Sequence, residues 1–361
     1  MKSVYLEAYF RNNLGDDMFV RTLLRRFPDV RFFSYIPKEY CSTFLSESNF
    51  SFSTEDNKNT RLARITRNYY IRFLLNCIRH DAIVKIGGSI FMQKFPDQNT
   101  VKRKPTPLWI KRIFFRRRFI IGANFGPYFT QRFLELGRAG FKCHKGVCFR
   151  DSGSYELFKD IEQVHMAPDV LFGYRYYPAY QKGNGVGISV IAPENKQYVD
   201  AYTEQYYNTV AEICDILSEQ GISVKLYGFC RAEGDETAAQ KIIGRMKSNH
   251  IPQVLIYNGD IDDFLDKFNE CEYVLAGRFH AMILGFMMHK KVLPVIYSQK
   301  QSNVLSDMNY EGGIWDLLHG ELPAANEIIH RCWQNTVPDD LDWLARESSK
   351  QFAQLEDYLY H

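Results

Sequence analysis

Residues 273–297 read YVLAGRFHAMILGFMMHKKVLPVIY, and this stretch determines the predicted fold. It begins with a short apolar run at 273–276 and ends with another at 292–297, and both are rich in residues that favour strands. Between them, residues 280–289 have the length and composition of a helix. Two strands joined by one helix form a βαβ unit, which predicts parallel strands and an α/β fold.

The same alternation extends over the rest of the chain. In the second half we predict strands at 186–191, 224–229 and 254–257, with helices at 202–219, 233–247 and 262–269. In the first half we predict a helix at 16–26 and strands at 4–10, 30–36, 82–86, 119–123, 146–149 and 164–166. A final amphipathic helix is predicted at 341–359.

The two halves are separated by residues 172–187, where tyrosine, proline and glycine follow neither the helical nor the strand period. We therefore predict two Rossmann-like domains with mostly parallel sheets facing across a cleft. The predicted boundaries are 1–172 for the N-terminal domain and 173–335 for the C-terminal domain. Residues 336–361 are expected to pack back onto one of them.

Composition restricts the classes of function. Of the 361 residues, 45% are hydrophobic and 24% are charged, which is typical of a globular chain and not of a disordered one. The formal net charge of +3 argues against nucleic-acid binding through bulk charge. The eight cysteines form no CxxC pair, which is typical of reduced thiols. Charged residues near the start and the lack of a long apolar run predict a cytoplasmic protein.

Glycine and polar residues follow several predicted strands, at the sheet edge where α/β folds bind ligands. These segments are 13–16, 87–89, 124–127, 150–154 and 168–169. Glycine at such a turn allows an anion to approach backbone N–H groups, but tight turns without any ligand use the same residues. Because no GxGxxG fingerprint and no P-loop lysine motif occurs, NAD and ATP have no direct support.

Arg278 and His280 lie where the strand at 273–276 meets the following helix. A guanidinium can bind a phosphate or carboxylate through two N–H groups, and an imidazole exchanges protons near neutral pH. The pair is therefore a candidate for anion binding and acid–base catalysis. A surface ion pair made by Arg278, with His280 at a helix terminus, is an alternative that the sequence leaves open.

Taken together, these segments resemble the polysaccharide pyruvyl transferase family over residues 10–305. The segments that carry the resemblance are Asn13-x-Gly15-Asp16, Gly87-Gly88, 122–127, Arg150-Asp151-x-x-Ser154, Ala167-Pro168-Asp169, Arg278-Phe279-His280 and 294–300. The Arg-Asp-x-x-Ser and Arg-x-His pieces are the most specific. The chain departs from the family pattern at Ile86, where a third glycine is usual, and at Gly277, where serine is usual.

The resemblance implies a GT-B-like fold and the transfer of pyruvate from phosphoenolpyruvate to sugar hydroxyls as a ketal. Arg150 and Arg278 would then bind the donor, and His280 would be the catalytic acid and base. Lys300 is a further cationic candidate for donor binding, although a surface lysine fits the same position. Phosphoenolpyruvate is a substrate in this scheme, and we predict no cofactor and no metal.

The acceptor sugar is expected on the N-terminal domain, and the donor on the C-terminal domain. The residues assigned to acceptor binding are Asn13, Asp16 and Asn124. Asp16 could instead cap the helix that it begins. Asp151 could orient Arg150, and Asp169 could form an Asx-turn at the end of its strand.

Residues 102–118 read KRKPTPLWIKRIFFRRR, in which eight basic residues flank an apolar helical face. This pattern is typical of a helix at an anionic membrane surface, where the protein would meet a lipid-linked acceptor. A helix that buries its aromatic face in the N-terminal domain and leaves its basic side in water is the alternative.

Two other functions fit the same fold. A GT-B-like glycosyltransferase would place the arginines at a nucleotide diphosphate, with His280 near the glycosidic centre. A scaffold without turnover, which binds a glycan or a membrane, would keep the architecture alone. The donor distinguishes the first two functions, because one uses phosphoenolpyruvate and the other a nucleotide sugar.

Overall fold

The computed structural model describes residues 1–54, 75–93, 117–179 and 182–361. Residues 102–116 of the basic segment lie outside the described residues, so the predicted membrane contact stays a prediction. Among the residues described, no helix combines the length and the apolar character needed to cross a bilayer. The chain forms two compact units. The first contains Met1–Phe10, Phe19–Gly173 and Arg346–His361, and the second contains Arg11–Met18 and Tyr174–Ala345.

In the described part of the chain, the first unit is built on a sheet of seven parallel strands. They are β1 (Ser3–Glu7), β2 (Arg31–Tyr35), β3 (Phe50–Ser53), β4 (Ala82–Ile86), β5 (Arg118–Ala123), β6 (Gly146–Phe149) and β7 (Val164–Met166). Their order across the sheet is β3-β2-β1-β4-β5-β6-β7. Because the order reverses between β1 and β4, loops that follow the strands open outward at that point, as in doubly wound folds.

Helices follow several strands of this sheet in sequence. They are α1 (Leu14–Arg26), α2 (Gln131–Phe141) and α3 (Ser152–Glu156). The first turn of α1 is acidic and its last turn is basic, which complements the helix dipole. The Asp151 side chain accepts a hydrogen bond from the backbone N–H of Ser154 and thereby caps α3.

The second unit contains a six-stranded parallel sheet among its described residues. Its strands are β8 (Val186–Ser189), β9 (Val224–Gly228), β10 (Gln253–Ile256), β11 (Tyr273–Ala276), β12 (Lys291–Ile296) and β13 (Trp315–Asp316), in the order β10-β9-β8-β11-β12-β13. Its helices are α4 (Thr203–Glu219), α5 (Asp235–Ile243), α6 (Ile261–Asn269), α7 (Phe279–Met287), α8 (Gln299–Asp307) and α9 (Ala325–Gln334). The rings of Tyr206 and Trp315 stack in its core, with centroids 5.6 Å apart.

The predicted fold class, with two α/β units and parallel sheets, is confirmed. The strands at 82–86, 146–149, 164–166 and 273–276 lie at their predicted positions. Strand β3 was not predicted, because the segment FSFS at the sheet edge has only four residues and alternates phenylalanine with serine.

The C-terminal stretch differs from the single helix predicted at 341–359. It forms α10 (Leu341–Ser348), a 3₁₀ turn at Ser349–Phe352, and α11 (Ala353–Tyr360). The turn inserts the buried amide of Gln351 among strand ends of the first unit. Its Oε1 accepts from the N–H of Gly122 at 2.9 Å, and its Nε2 donates to the carbonyl of Ala167 at 2.7 Å. The break in the helix therefore satisfies buried backbone groups at the ends of β5 and β7.

Arg11–Met18 belongs to the second unit, although the predicted boundary placed these residues in the N-terminal domain. The N–H of Leu14 donates to the carbonyl of Phe229 at 3.1 Å, just beyond β9. The hydroxyl of Tyr257 donates to the buried carboxylate of Asp17 at 2.9 Å. These bonds join residues more than two hundred positions apart, which local sequence patterns cannot report. They bring the first turn of α1 to the carboxyl ends of β9 and β10.

Candidate active site

Arg278 immediately precedes α7, and two carboxylates hold its guanidinium in one orientation. Its Nε donates to Oδ2 of Asp235 at 3.0 Å and its Nη2 donates to Oδ1, so this pair is bidentate. Its Nη1 donates to Oε2 of Glu233. Burial disfavours the charged guanidinium, but Asp235 and Glu233 outweigh that effect and raise the pKa of Arg278 well above its ordinary value. Arg278 is therefore charged at every physiological pH.

Asp235 is fully buried and is the structural partner in this network. Its Oδ2 also accepts from the backbone N–H groups of Phe229 and Cys230, at 2.8 and 2.9 Å. The carboxylate therefore connects the end of β9 to the start of α7. Each bond to the ionised carboxylate is of the strong, charge-assisted kind.

Glu233 lies at the open side of the same network, with its side chain 29% exposed. Its carboxylate accepts from Nζ of Lys196 at 2.6 Å and from Nδ2 of Asn13 at 3.2 Å, in addition to Arg278. Burial raises the pKa of Glu233, but the charges of Arg278 and Lys196 overcome this effect and hold it well below the ordinary range. Glu233 is therefore anionic at neutral pH.

His280 lies in the first turn of α7 and packs directly on the backbone of α1. A Cβ atom placed on Gly15 would overlap the imidazole of His280 at Nδ1, so only glycine allows the ring to take this position. The side chain of His280 is half-buried. The segment that contains Gly15 and the segment that contains His280 are far apart in sequence, and they are thus in contact within the second unit.

Two lysines complete the cationic surroundings. The Nζ of Lys300, in the first turn of α8, lies 5.6 Å from the ring centroid of Phe279 and 5.5 Å from that of Tyr297. The Nζ of Lys196 lies 5.9 Å from the same Tyr297 ring. Cations at these distances are stabilised by the faces of aromatic rings. The half-buried imidazole thus shares this region with guanidinium and ammonium groups that can bind phosphate or carboxylate.

Arg150 has quite different surroundings, in the first unit. Its side chain is 1% exposed, and its Nη1 donates to the fully buried carboxylate of Asp169 at 2.8 Å. Its Nη2 donates to Oδ1 of Asn124 at 2.7 Å, and Oδ1 also accepts from the hydroxyl of Ser89 at 3.2 Å. A Cβ on Gly88 would lie 2.5 Å from the guanidinium, so this glycine leaves space for Arg150.

The sequence predicts Arg150 as a donor-binding residue, and the structure places its guanidinium against a buried carboxylate. The carboxylate of Asp169 neutralises the guanidinium. Removing one member of such a buried pair leaves the other charge uncompensated, which is why these pairs are structurally important. The acceptor role of Asn124 and the donor role of Arg150 stay predictions. Asp151, which the sequence suggested could orient Arg150, accepts hydrogen bonds from the backbone N–H and the hydroxyl of Ser154.

A family model for polysaccharide pyruvyl transferases matches residues 13–299, which is most of the chain. The chain belongs to the polysaccharide pyruvyl transferase family. The matched region begins at Asn13 and includes Arg150, Arg278 and His280. Membership of this family supports a transferase that modifies polysaccharides.

Solved structures show the same architecture at low sequence identity. HepE of Anabaena in complex with UDP-glucose has a TM-score of 0.63 and 11% identity, with 99% of both chains covered. The UDP-GlcNAc 2-epimerase of Methanocaldococcus jannaschii has a TM-score of 0.57 and 10% identity, over 99% of this chain and 100% of the epimerase. S. aureus MnaA with UDP has a TM-score of 0.54 and 12% identity, over 99% and 97%. At these identities the similarity shows the fold, and it confirms the GT-B-like prediction.

Several of the predicted site residues lie close together in the second unit. Asn13 contacts Glu233, His280 packs on Gly15, and Arg278 and Lys300 lie in the same region. Asp16 is half-buried and lies in the first turn of α1, two residues after the helix begins at Leu14, so it does not occupy the N-cap position. Arg150 and Asn124 contact each other in the first unit.

Sequence reasoning missed Lys196, Glu233 and Asp235. A signal for the two acids was present, because Glu233-Gly234-Asp235 follows strand β9 at the edge where ligands bind. Lys196 follows β8 by several residues in a polar loop, and its residue type carries no local signal of a site.

Proposed function

We propose that this protein transfers the pyruvyl group of phosphoenolpyruvate to two hydroxyls of a sugar in a polysaccharide or glycan precursor, forming a ketal. The observation that carries this proposal is the contact of His280 with Gly15 beside Arg278, in a chain of this family. It places a group able to exchange protons within a region of fixed cations. Phosphoenolpyruvate needs both, because it carries a phosphate and a carboxylate and reacts by proton transfer.

The reaction forms two new C–O bonds at C2 of the donor, in two steps. In the first, a sugar hydroxyl adds to C2 as C3 receives a proton, and the hydroxyl oxygen loses its own proton. In the second, a neighbouring hydroxyl of the same sugar bonds to C2 and loses its proton, the C2–O bond to phosphate breaks, and inorganic phosphate leaves carrying one proton. Each ketal formed therefore releases one phosphate. The scheme balances without a metal or a further cofactor, and we propose that none is used.

His280 would move the protons in this scheme. Arg278 would neutralise charge on the departing phosphate, because its guanidinium is held charged and in one orientation by Asp235. Lys300 would assist from the first turn of α8. The buried pair of Arg150 and Asp169 would support the strand ends of the first unit, where Asn124 is proposed to bind the acceptor.

The donor can be identified by ligand-induced stabilisation. A ligand that binds the native state at about one hundred times its Kd adds about 2.7 kcal/mol of stability. We expect phosphoenolpyruvate to raise the melting temperature by several degrees, and UDP and GDP to leave it unchanged. Stabilisation by UDP or GDP, with none by phosphoenolpyruvate, would favour a glycosyltransferase. The similar structure of HepE contains UDP-glucose.

Substitution of Gly15 by alanine tests the contact that carries the proposal. The new methyl group would overlap the imidazole of His280, so the ring must move while its chemistry is retained. We expect phosphate release to fall by at least about tenfold, since a misplaced catalytic group loses rate steeply with distance. The measurement is phosphoenolpyruvate-dependent phosphate release in the presence of saccharide acceptors.

Gly140→Ala is the matched control. Gly140 lies in α2, and a Cβ added there would meet no atom within 4 Å, so alanine fits without displacement. We expect this variant to retain full activity and equal or slightly greater stability. Equal activity of the Gly15→Ala variant and the wild type would remove the support that this contact gives to the mechanism.

A further inference from the structure

The carboxylate of Glu233 is surrounded by the donors that an anionic substrate requires. It accepts from Nζ of Lys196 at 2.6 Å, from Nδ2 of Asn13 at 3.2 Å and from Nη1 of Arg278. These donors come from three separate segments of the second unit. Two cations and an amide thus converge on one acidic group that is itself partly open to solvent.

The two acids of this network differ in how they are held. Asp235 is fully buried, binds two backbone N–H groups and occupies both Nε and Nη2 of Arg278. Glu233 occupies only Nη1, and its other partners are two side chains. It ends a 3₁₀ turn at Arg231–Glu233 and is followed by Gly234, which has a φ of 91°. Asp235 thus fixes the guanidinium through two of its nitrogens, and the partly exposed Glu233 accepts from the third.

We propose that the phosphate of the donor binds where the Glu233 carboxylate lies, with Lys196, Arg278 and Asn13 as its ligands. The identity of the donor rests on the proposed function. Without a donor, Glu233 keeps the two cations close together and correctly oriented. When the donor arrives, its doubly charged phosphate replaces the singly charged carboxylate, which turns outward. Under this proposal Lys196 is a donor-binding residue. Asn13, which the sequence analysis assigned to acceptor binding, binds the donor instead.

The chemistry of the ligands supports this exchange. A phosphate monoester presents three oxygens, which matches the three donors now shared by the two oxygens of Glu233. Because the donors are already in place, binding requires little reordering of side chains. Lys300 lies on the same Tyr297 ring as Lys196, and it is placed to bind the second anionic group of the donor.

The test is the affinity of the full chain for inorganic phosphate and for phosphoenolpyruvate, measured by titration calorimetry at constant ionic strength. Glu233→Gln keeps the shape of the side chain and removes the charge that competes with the ligand. We expect this variant to bind phosphate at least about tenfold more tightly than the wild type, which corresponds to about 1.4 kcal/mol. Unchanged or weaker binding would overturn the proposal.

Glu236→Gln is the matched control. Glu236 lies three residues further along and forms an exposed ion pair with Arg231, so its loss changes the net charge equally. We expect its phosphate affinity to equal that of the wild type. An equal tightening in both variants would mean a general charge effect and would overturn the proposal. If the glutamine variant of Glu233 does not fold, Glu233→Asp, which shortens the side chain by one methylene, should tighten binding in the same direction.

A second substitution tests where the phosphate binds. Adding Lys196→Met to Glu233→Gln removes one proposed ligand, and we expect phosphate affinity to fall by about tenfold from that of the single variant. No loss would show that phosphate binds elsewhere. Tighter phosphate binding by Glu233→Gln without ketal formation by the wild type would support this site and reject the proposed function. Ketal formation by the wild type, with unchanged phosphate affinity in Glu233→Gln, would support the proposed function and reject this site.

Discussion

His280→Ala is expected to lower phosphoenolpyruvate-dependent phosphate release by about 10²–10⁴, which is the usual contribution of a general acid–base group. The imidazole is half-buried on the backbone of Gly15 and follows Arg278 by two residues, so no shift of the fold is needed to remove it. Alanine deletes the proposed proton-transfer group and leaves the cationic side chains of Arg278, Lys196 and Lys300 in place. The turnover number should therefore fall while the affinity for phosphoenolpyruvate stays near that of the wild type.

His280→Gln serves as the companion variant, since it keeps a polar side chain of similar length but cannot exchange a proton near neutral pH. We expect it to be as inactive as the alanine variant. Full activity of either variant would show that another group moves the protons. A loss of donor affinity with unchanged turnover would instead assign His280 to binding.

Asp235→Asn is expected to destabilise the protein by about 3–5 kcal/mol, because it removes one partner of a buried charge pair and leaves Arg278 partly uncompensated. Asp235 is fully buried and also accepts two backbone hydrogen bonds. The measurement is the free energy of unfolding of the full chain in urea. Because Arg278 loses its bidentate partner, donor affinity should fall as well.

Asp263→Asn provides the comparison for this prediction. Asp263 pairs with Lys267 on the surface of α6, and the two side chains are 50% and 42% exposed. Exposed pairs of this kind contribute about 0–1 kcal/mol. Equal effects of the two substitutions on the free energy of unfolding would contradict the central structural role of Asp235.

The sequence was sufficient to predict most of the fold, because buried parallel strands are short runs of branched apolar residues between helices. The strand at 82–86, with the sequence AIVKI, and the βαβ unit at 273–297 illustrate this. The edge strand Phe50–Ser53 has too few residues and too weak a pattern. The break at Ser349–Phe352 depends on where Gln351 finds backbone partners, and those partners come from β5 and the segments around β6 and β7.

The site was predictable in its parts and not in its connections. Position after a strand was enough to select Asn13, Arg278 and His280. The contact of Asn13 with Glu233 joins residues 220 positions apart. The packing of the His280 ring against Gly15 also joins distant parts of the sequence. The burial of Arg150 against Asp169 was hidden for the same reason. A motif shows that an arginine is present and does not show which carboxylate it meets.

We expect the carbon skeleton of phosphoenolpyruvate to be transferred to a saccharide. This transfer is tested by incubating the full chain with phosphoenolpyruvate labelled with ¹³C at C2, UDP-sugars and a panel of saccharides, and following the label by NMR. We predict a new quaternary ketal carbon attached to a saccharide, with one phosphate released for each ketal. Label that stays in phosphoenolpyruvate while a UDP-sugar is consumed would contradict this expectation.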